Sequence, residues 1–430
     1  MGNRIDIINL GCSKNLVDSE KLSRQLELCG YIVRHDPEHI QCDIVIVNTC
    51  GFIGDAKEES INVILELVSM KQSKKIKKLF VMGCLSGRYI DDLPSEIPEV
   101  DKFYGKFSWN EIVTDLGKSF QQESALHRTI TTPSHFAYLK ISEGCNRYCA
   151  YCAIPIITGR HRSRPMEEIV SEVEWLVQQG VKEFQVIAQD LSYYGKDLYG
   201  EFRLAELIEK ISDVPGVQWI RLHYAYPAKF PYDILRVIRE RDNVCNYLDI
   251  ALQHVSDPVL QRMRRNVSSN ETIELIRRIR DEVPGIHLRT TLLAGFPGES
   301  EADFEALMNF VKTMRFERMG AFPYSEEEGT YSALHFDDDI PFEVKQARVD
   351  QLMEIQQQIS EELNRAKIGA VLRVIIDREE GDCYVGRTEF DSPEVDPEVL
   401  IPKNKMLNIG DFYDVKIVDA EAFELFGEVL

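Results

Sequence analysis

Three cysteines crowd into EGCNRYCAYC, residues 143–152, at Cys145, Cys149 and Cys152. Intervals of four and three residues put three soft sulfur donors on one short loop. Thiolates at that density suit zinc or an iron–sulfur cluster. A structural zinc site closes with four ligands, often as two paired C-x2-C halves. Here the loop offers three cysteines, and the nearest histidine in sequence is His161. The pattern predicts an open fourth position, where a substrate or cofactor binds. Tyr148 and Tyr151, interleaved with the cysteines, would shield such a group.

A second set is dispersed along the chain. Cys12 follows the apolar run Arg4–Leu10, Cys50 follows Asp43–Val47, and Cys84 follows Lys78–Met82. Helical patterns over Ser13–Gly30 and Ala56–Lys71 separate these runs, which predicts a βαβαβ unit with a parallel sheet. The carboxyl ends of such strands share one edge, the edge where ligands bind. The fold could therefore gather three distant cysteines into one cluster. Gly11, Gly51 and Gly83 beside them permit sharp turns and close backbone approach. Cys29, Cys42, Cys245 and Cys383 read as structural thiols.

The elements that position these residues imply an α/β multidomain protein. A chain of 430 residues exceeds what one core usually serves. Residues 1–125 form the parallel α/β unit, and the polar stretch 119–133, closed by Pro133, reads as a linker. Over 131–366, apolar runs at 137–142, 184–189, 219–224, 247–252 and 287–296 alternate with helical patterns. Repeated βα units suit a partial TIM-like barrel. A long amphipathic helix over Phe342–Ile368 follows. In 367–430 the runs VLRVIID, CYVGRTEF, VLIP and FYDVKIVDA predict a small antiparallel β-barrel.

The formal charge of −21 disfavours stable binding of DNA or RNA phosphates and favours solubility or a basic partner. The first residues, MGNRIDIINLGC, show no secretory pattern, and no apolar run reaches the ~18 residues of a membrane span. A cytoplasmic protein without membrane association is expected. In a reducing compartment its ten cysteines point to metal binding or thiol chemistry rather than disulfides.

C-x3-C-x2-C directly after a strand resembles the radical S-adenosylmethionine (SAM) superfamily. Nearly the whole chain resembles its methylthiotransferase family, through LGCSKNLVDSE, VNTCGFI, MGCLSGRY, ISEGCNRYCAYCAIP, DIALQHVSDPVL, LRTTLLAGFPGE and YVGRTEFDSPEVD. The resemblance implies a methylthiotransferase domain, a radical SAM domain and a C-terminal TRAM domain. It implies two 4Fe–4S clusters, one on Cys145, Cys149 and Cys152 with SAM on its open iron. Cys12, Cys50 and Cys84 would hold the auxiliary cluster. By the same resemblance Gln189 and Asp190 meet SAM, although the usual Gly-Gly-Glu is absent. Arg162 and Arg164 suit a carboxylate of SAM or substrate. Thr290, Thr291 and Gly295 would border the adenosine. His254 reads equally as a packing or a catalytic residue, and no residue is assigned a catalytic role.

GCSKNLVDSE resembles the branch that methylthiolates the β-carbon of an aspartate in small-subunit ribosomal protein twelve. The branch acting on a tRNA adenosine typically opens GCQMN. From Lys367 to Leu430 there are 7 Lys and Arg against 15 Asp and Glu, a net of −8. Such a barrel would repel tRNA and attract a basic ribosomal protein, with Asp391, Glu394 and Asp396 as docking acids. The reaction also requires a sulfur donor and an electron donor. Two other readings are a tRNA methylthiotransferase, and a non-catalytic RNA-binding protein with structural zinc.

Overall fold

The computed structural model describes residues 3–122 and 126–430. Its N-terminal sheet comprises β1 (Arg4–Asn9), β2 (Ile32–His35), β3 (Ile44–Thr49), β4 (Lys78–Gly83) and β5 (Lys102–Phe103). The order is β2-β1-β3-β4-β5, parallel throughout. Strand β3 is buried along its length because its two faces alternate between two cores. Val45 and Val47 pack with Ile64 and Leu67 of the helix Gly54–Gln72. Ile44 and Ile46 pack with Leu22 and Leu26 of the helix Ser13–Leu28.

The central unit runs through β6 (Phe136–Lys140), a hairpin of β7 (Ser142–Glu143) with β8 (Arg162–Ser163), β9 (Glu183–Ile187), β10 (Trp219–Ala225), β11 (Val244–Ile250), β12 (His287–Ala294) and β13 (Arg318–Pro323). Six of these make one parallel sheet in the order β6-β9-β10-β11-β12-β13. One face carries Leu139, Val186, Leu222, Leu248 and Leu292, packed against covering helices that include Met166–Gln178 and Phe342–Arg365. The other face is polar: Glu183, Gln185, Arg221, His223 and Asp249 are all buried there. A lumen lined this way must pair its own charges. Arg221 meets Glu183 at 3.1 Å, and His223 meets Gln185 at 2.7 Å. The sequence pattern missed β13, whose RMGAFP carries a glycine and a proline that weaken any strand signal.

The C-terminal unit is a closed barrel of β14 (Val371–Glu380), β15 (Cys383–Thr388), β16 (Glu398–Pro402), β17 (Phe412–Ala420) and β18 (Glu424–Val429). The sequence reading did not anticipate β18. Its Gly427 obscures the pattern, yet a Cβ there would overlap Val415 on β17.

Residues 123–125 of the expected linker lie outside the described residues. The flanking part is pinned rather than loose. Arg128 is fully buried and bonds Glu20 of the N-terminal unit, Glu172 (2.9 Å) and the Tyr138 carbonyl of the central unit. The Thr131 amide donates to Glu20 at 2.8 Å. Polar composition here reports a buried ionic staple instead of a solvated tether. Among the described residues no helix is long and apolar enough to cross a membrane.

Candidate active site

The register of the N-terminal sheet pairs Asn9 with Asn48 and Thr49 with Gly83, so β1, β3 and β4 end level. Cys12, Cys50 and Cys84 leave that common edge. Cys12 is the N-cap of the helix Ser13–Leu28, and Cys84 opens the short helix Cys84–Arg88. Two glycines are required here. Gly83 has φ +102°, and a Cβ on Gly51 would stand 2.6 Å from the Leu85 backbone nitrogen. Asn15 donates to the Thr49 carbonyl (3.0 Å), and Asn48 donates to the Asn15 carbonyl (2.8 Å), locking the turns together.

The three thiols feel one another. Burial raises the pKa of Cys50, and the charges of Cys84 and Cys12 raise it further. Burial also raises Cys84, opposed by Lys106. Cys12 goes the other way. Surrounding protein pushes its thiol up, but Lys14, Lys106 and the amides of Asn15 and Lys14 outweigh that and lower it. Its surface remains exposed, as expected of a thiol facing a cleft. Buried Lys106 holds its ammonium 3.6 Å from the Cys84 sulfur, 2.8 Å from Asn15 Oδ1 and 3.6 Å from Asp18. A cation beside Cys84 and within reach of Cys12 favours their thiolates.

The loop set is clamped at its base. The β7–β8 hairpin closes it, the Cys145 amide donates to the Gly159 carbonyl (3.2 Å), and Gly144 at φ +72° lies under the Arg160 carbonyl, where no Cβ fits. The Arg147 amide points at the Cys145 sulfur (3.5 Å) and the Arg265 guanidinium at the Cys149 sulfur (3.3 Å). Burial pushes the Cys145 thiol up to about 12 and raises Cys152 as well, the neighbouring Cys149 charge adding to both. His161 is no fourth ligand; its ring faces Ser163 at 3.1 Å. Among the described residues no three His, Cys, Asp or Glu side chains are gathered tightly enough for a single metal ion. The donor chemistry still fits a cluster at each set: three thiols within reach of each other's charge, a buried cation beside them, and main-chain turns only glycine permits.

The two sets adjoin. Cys84 packs in one apolar cluster with Ala153 and Ile157, the residues that follow Cys152. A buried polar chain runs alongside. Lys106 meets Asp18, Asp18 meets Lys140 (2.5 Å), and Lys140 meets Glu143, two residues before Cys145. Left-handed backbone at Tyr148 (φ 50°), Tyr224 (φ 64°) and Gln253 (φ 73°) clusters at the carboxyl ends of the central strands and in the cysteine loop. Bulky residues hold such conformations chiefly at functional sites.

The other residues singled out from sequence fall in several places. Asp190 is buried and accepts from Arg147 at 2.6 Å and from the Ser192 amide at 2.9 Å, so it braces the cysteine loop. Gln189 is half-buried beside it. Thr291 lies half-buried where its carbonyl accepts from Gln253. Thr290 faces away, its hydroxyl taken by the Leu252 amide. Gly295 packs against Lys345, and its amide donates to Glu299. Arg164 is engaged by Glu172 (2.7 Å) and the Lys140 carbonyl, and exposed Arg162 stacks 4.7 Å over Phe107 of the N-terminal unit. Arg164 therefore offers no free fork to a carboxylate, whereas the Arg162 guanidinium makes no hydrogen bond or ion pair among the described residues. His254 is wholly buried with Glu299 at 3.4 Å, a packing position.

The docking acids require correction. Asp391 is wholly buried and grips Arg318 (2.5 Å), which holds its carboxyl down at about 2 against the opposing cost of burial. Asp396 binds Arg289 and accepts from Tyr247 at 3.0 Å. Exposed Glu394 accepts from Tyr138 at 3.2 Å. These acids seat the C-terminal barrel on the amino-terminal ends of the central strands. Asp391 and Asp396 serve the lumen's arginines, not a visiting partner, whereas Glu394 stays exposed with a tyrosine hydroxyl as its contact. The residues that sequence reading passed over are Lys106, Lys140, Arg147 and Arg265. The only signals were the Asn15 and Asp18 within GCSKNLVDSE and the doubled arginine in RMRRN.

The geometry defines a radical SAM protein with a second cysteine site. The chain matches the model of the Radical SAM superfamily over residues 139–311, of Uncharacterized protein family UPF0004 over 4–105, and of the TRAM domain over 368–430. It is 64% identical to ribosomal protein uS12 methylthiotransferase RimO of Parabacteroides distasonis, covering 100% of this chain and 99% of that protein. It is 65% identical to the RimO of Bacteroides thetaiotaomicron (99% and 98% covered) and 51% to that of Christiangramia forsetii (100% and 94%). The chain belongs to the RimO family of ribosomal protein uS12 methylthiotransferases. Its fold is shared with the radical SAM methyltransferase TsrM from Kitasatospora setae, at a TM-score of 0.55 and 14% identity over 74% of this chain and 73% of that one. The radical SAM enzyme OxsB shares it at 0.53 and 13%, over 82% and 56%.

Proposed function

We propose that this chain transfers a methylthio group to the β-carbon of an aspartate in ribosomal protein uS12, in the cytoplasm. The reading includes two 4Fe–4S clusters, one on Cys145, Cys149 and Cys152 and one on Cys12, Cys50 and Cys84. The observation that carries it is the contact of Cys84 with Ala153 and Ile157, which sets two three-cysteine sites side by side. When bound, the clusters and SAM supply the 5′-deoxyadenosyl radical that removes hydrogen from carbon, and the sulfur that replaces it.

The protein's part is position and charge. Burial raises Cys145 and Cys152, so a metal bound there would displace their protons, which makes loading pH-dependent. Lys106 and Arg265 offset the negative charge of thiolates at the two sets. Arg147, held by Asp190 and the Ala228 carbonyl (3.1 Å), fixes the loop against the barrel. Glu379, Glu380, Asp382, Asp414, Asp419, Glu421 and Glu428 on the outer face of the C-terminal barrel are exposed, a surface that disfavours tRNA phosphates. Domain limits of 1–125, 131–366 and 367–430, and external sulfur and electron donors, complete the reading.

The test is mass spectrometry of uS12 from cells with and without the gene. Loss of a methylthio adduct from one aspartate supports the reading. An unchanged uS12, with loss of methylthio-adenosine from tRNA, overturns it.

A further inference from the structure

Lys14 stands in the first turn of the helix Ser13–Leu28, two residues after Cys12, and is 6% exposed. Several cations around it are matched. Lys106 has Asn15 and Asp18, Lys140 has Asp18 and Glu143, Arg221 has Glu183, and Arg289 has Asp396. The Lys14 ammonium makes no hydrogen bond or ion pair among the described residues. Its only neighbour of note is the ring of Tyr224, 3.6 Å from nitrogen to centroid. Tyr224 itself sits in left-handed backbone, a costly conformation for an aromatic residue, and so presents its ring to the cleft. The Lys14 nitrogen keeps contact with solvent, so an incoming anion can reach it.

Lys14 bears on Cys12 on one side and on His223 and Asp249 of the lumen on the other. It therefore marks the boundary between the N-terminal thiols and the polar lumen. Asp249 makes no ion pair with it.

We propose that Lys14 binds the side-chain carboxylate of the substrate residue and so selects an acidic target. This rests on the aspartate reading above. In aspartate the carboxylate is bonded directly to the β-carbon. Anchoring it fixes the reacting carbon within one bond. Asparagine lacks the charge, and glutamate moves its β-carbon one methylene further from the anchor.

The test uses anaerobically reconstituted enzyme with SAM, and labelled peptides spanning the uS12 target with Asp, Asn or Glu at that position. Dissociation constants are read by fluorescence anisotropy. The wild type should prefer Asp over Asn by about ten- to a hundredfold, the range of a hydrogen bond to a charged group. Lys14→Met should bring the Asp peptide down to the Asn level and leave the Asn peptide where it was. Lys14→Arg should recover part of the preference. Equal affinities for Asp and Asn in the wild type overturn the proposal without recourse to any variant. So does a Lys14→Met protein with full iron content that loses both peptides alike. Methylthio transfer to the Asp peptide by the wild type is scored in parallel. Its absence sinks the proposed function itself, whereas transfer with undiminished Asp preference in Lys14→Met sinks only the role of Lys14.

Discussion

The loop cysteines and the N-terminal cysteines carry the same three thiols in opposite ways. Cys145, Cys149 and Cys152 lie within eight residues of chain, and burial raises Cys145 and Cys152. Cys12, Cys50 and Cys84 are brought together by three level strand ends, and a buried lysine lies against Cys84. The first site is local. The second is global, and there burial raises Cys50 and Cys84 while Lys14 and Lys106 lower Cys12. Electrostatics thus separates two sites that ligand counting makes equal.

The widest separation should come from removing one ligand at each. Cys145→Ala should abolish reductive SAM cleavage, whereas Cys12→Ala should leave cleavage measurable and stop methylthio transfer. If Cys12→Ala forms product at the wild-type rate, the assignment of the N-terminal set fails. Next in size is the buried lysine. Lys106→Met leaves Cys84 without its cation and Asp18 with Lys140 alone. It should lower iron occupancy at the N-terminal set only and cost about 3–5 kcal/mol in denaturant unfolding, as expected for a broken buried pair. Equal iron loss at both sets would mean the sites are not electrostatically distinct.

A smaller effect sharpens the contrast in the metal-free protein. With pH-resolved alkylation and peptide mass mapping, Cys12 should react at lower pH than Cys145, whose thiol is pushed up to about 12. The same reactivity order at every pH tested, with Cys145 ahead, would reverse the comparison.

The smallest effect lies in the lumen between them. Burial raises Asp249 to about 6, with the charge of Arg289 opposing it. A carboxyl raised in the folded state favours folding below its unfolded value near 4 and loses that advantage as pH climbs through 6. Asp249→Asn should therefore gain stability over the wild type between pH 4 and 7, on the order of 2 kcal/mol at neutral pH. A difference in melting temperature that does not grow with pH would remove Asp249 from the buried lumen's charge balance.

Much of this was written locally. EGCNRYCAYC contains its own ligand spacing, and GCSKN, NTCGF and MGCLS each follow an apolar run that must be a strand. Hydrophobic periodicity therefore determined the parallel sheet, the partial barrel and both cysteine sets, because a strand end and a glycine turn depend only on near neighbours. It could not decide which charges meet. Lys106 lies 91 residues from Asn15, and Asp391 lies 73 from Arg318. The acids at 391, 394 and 396 look solvated in a string of letters and are inward or paired in the folded chain. The polar stretch before Pro133 looks like a tether and is a buried staple through Arg128. An ion pair is chosen by whatever the tertiary fold brings within a few ångström, and its strength by the water that fold excludes. The sequence alone laid out the two cysteine sets; only the packed structure decided which charges pair, Lys106 with Asp18 and Arg318 with Asp391 among them.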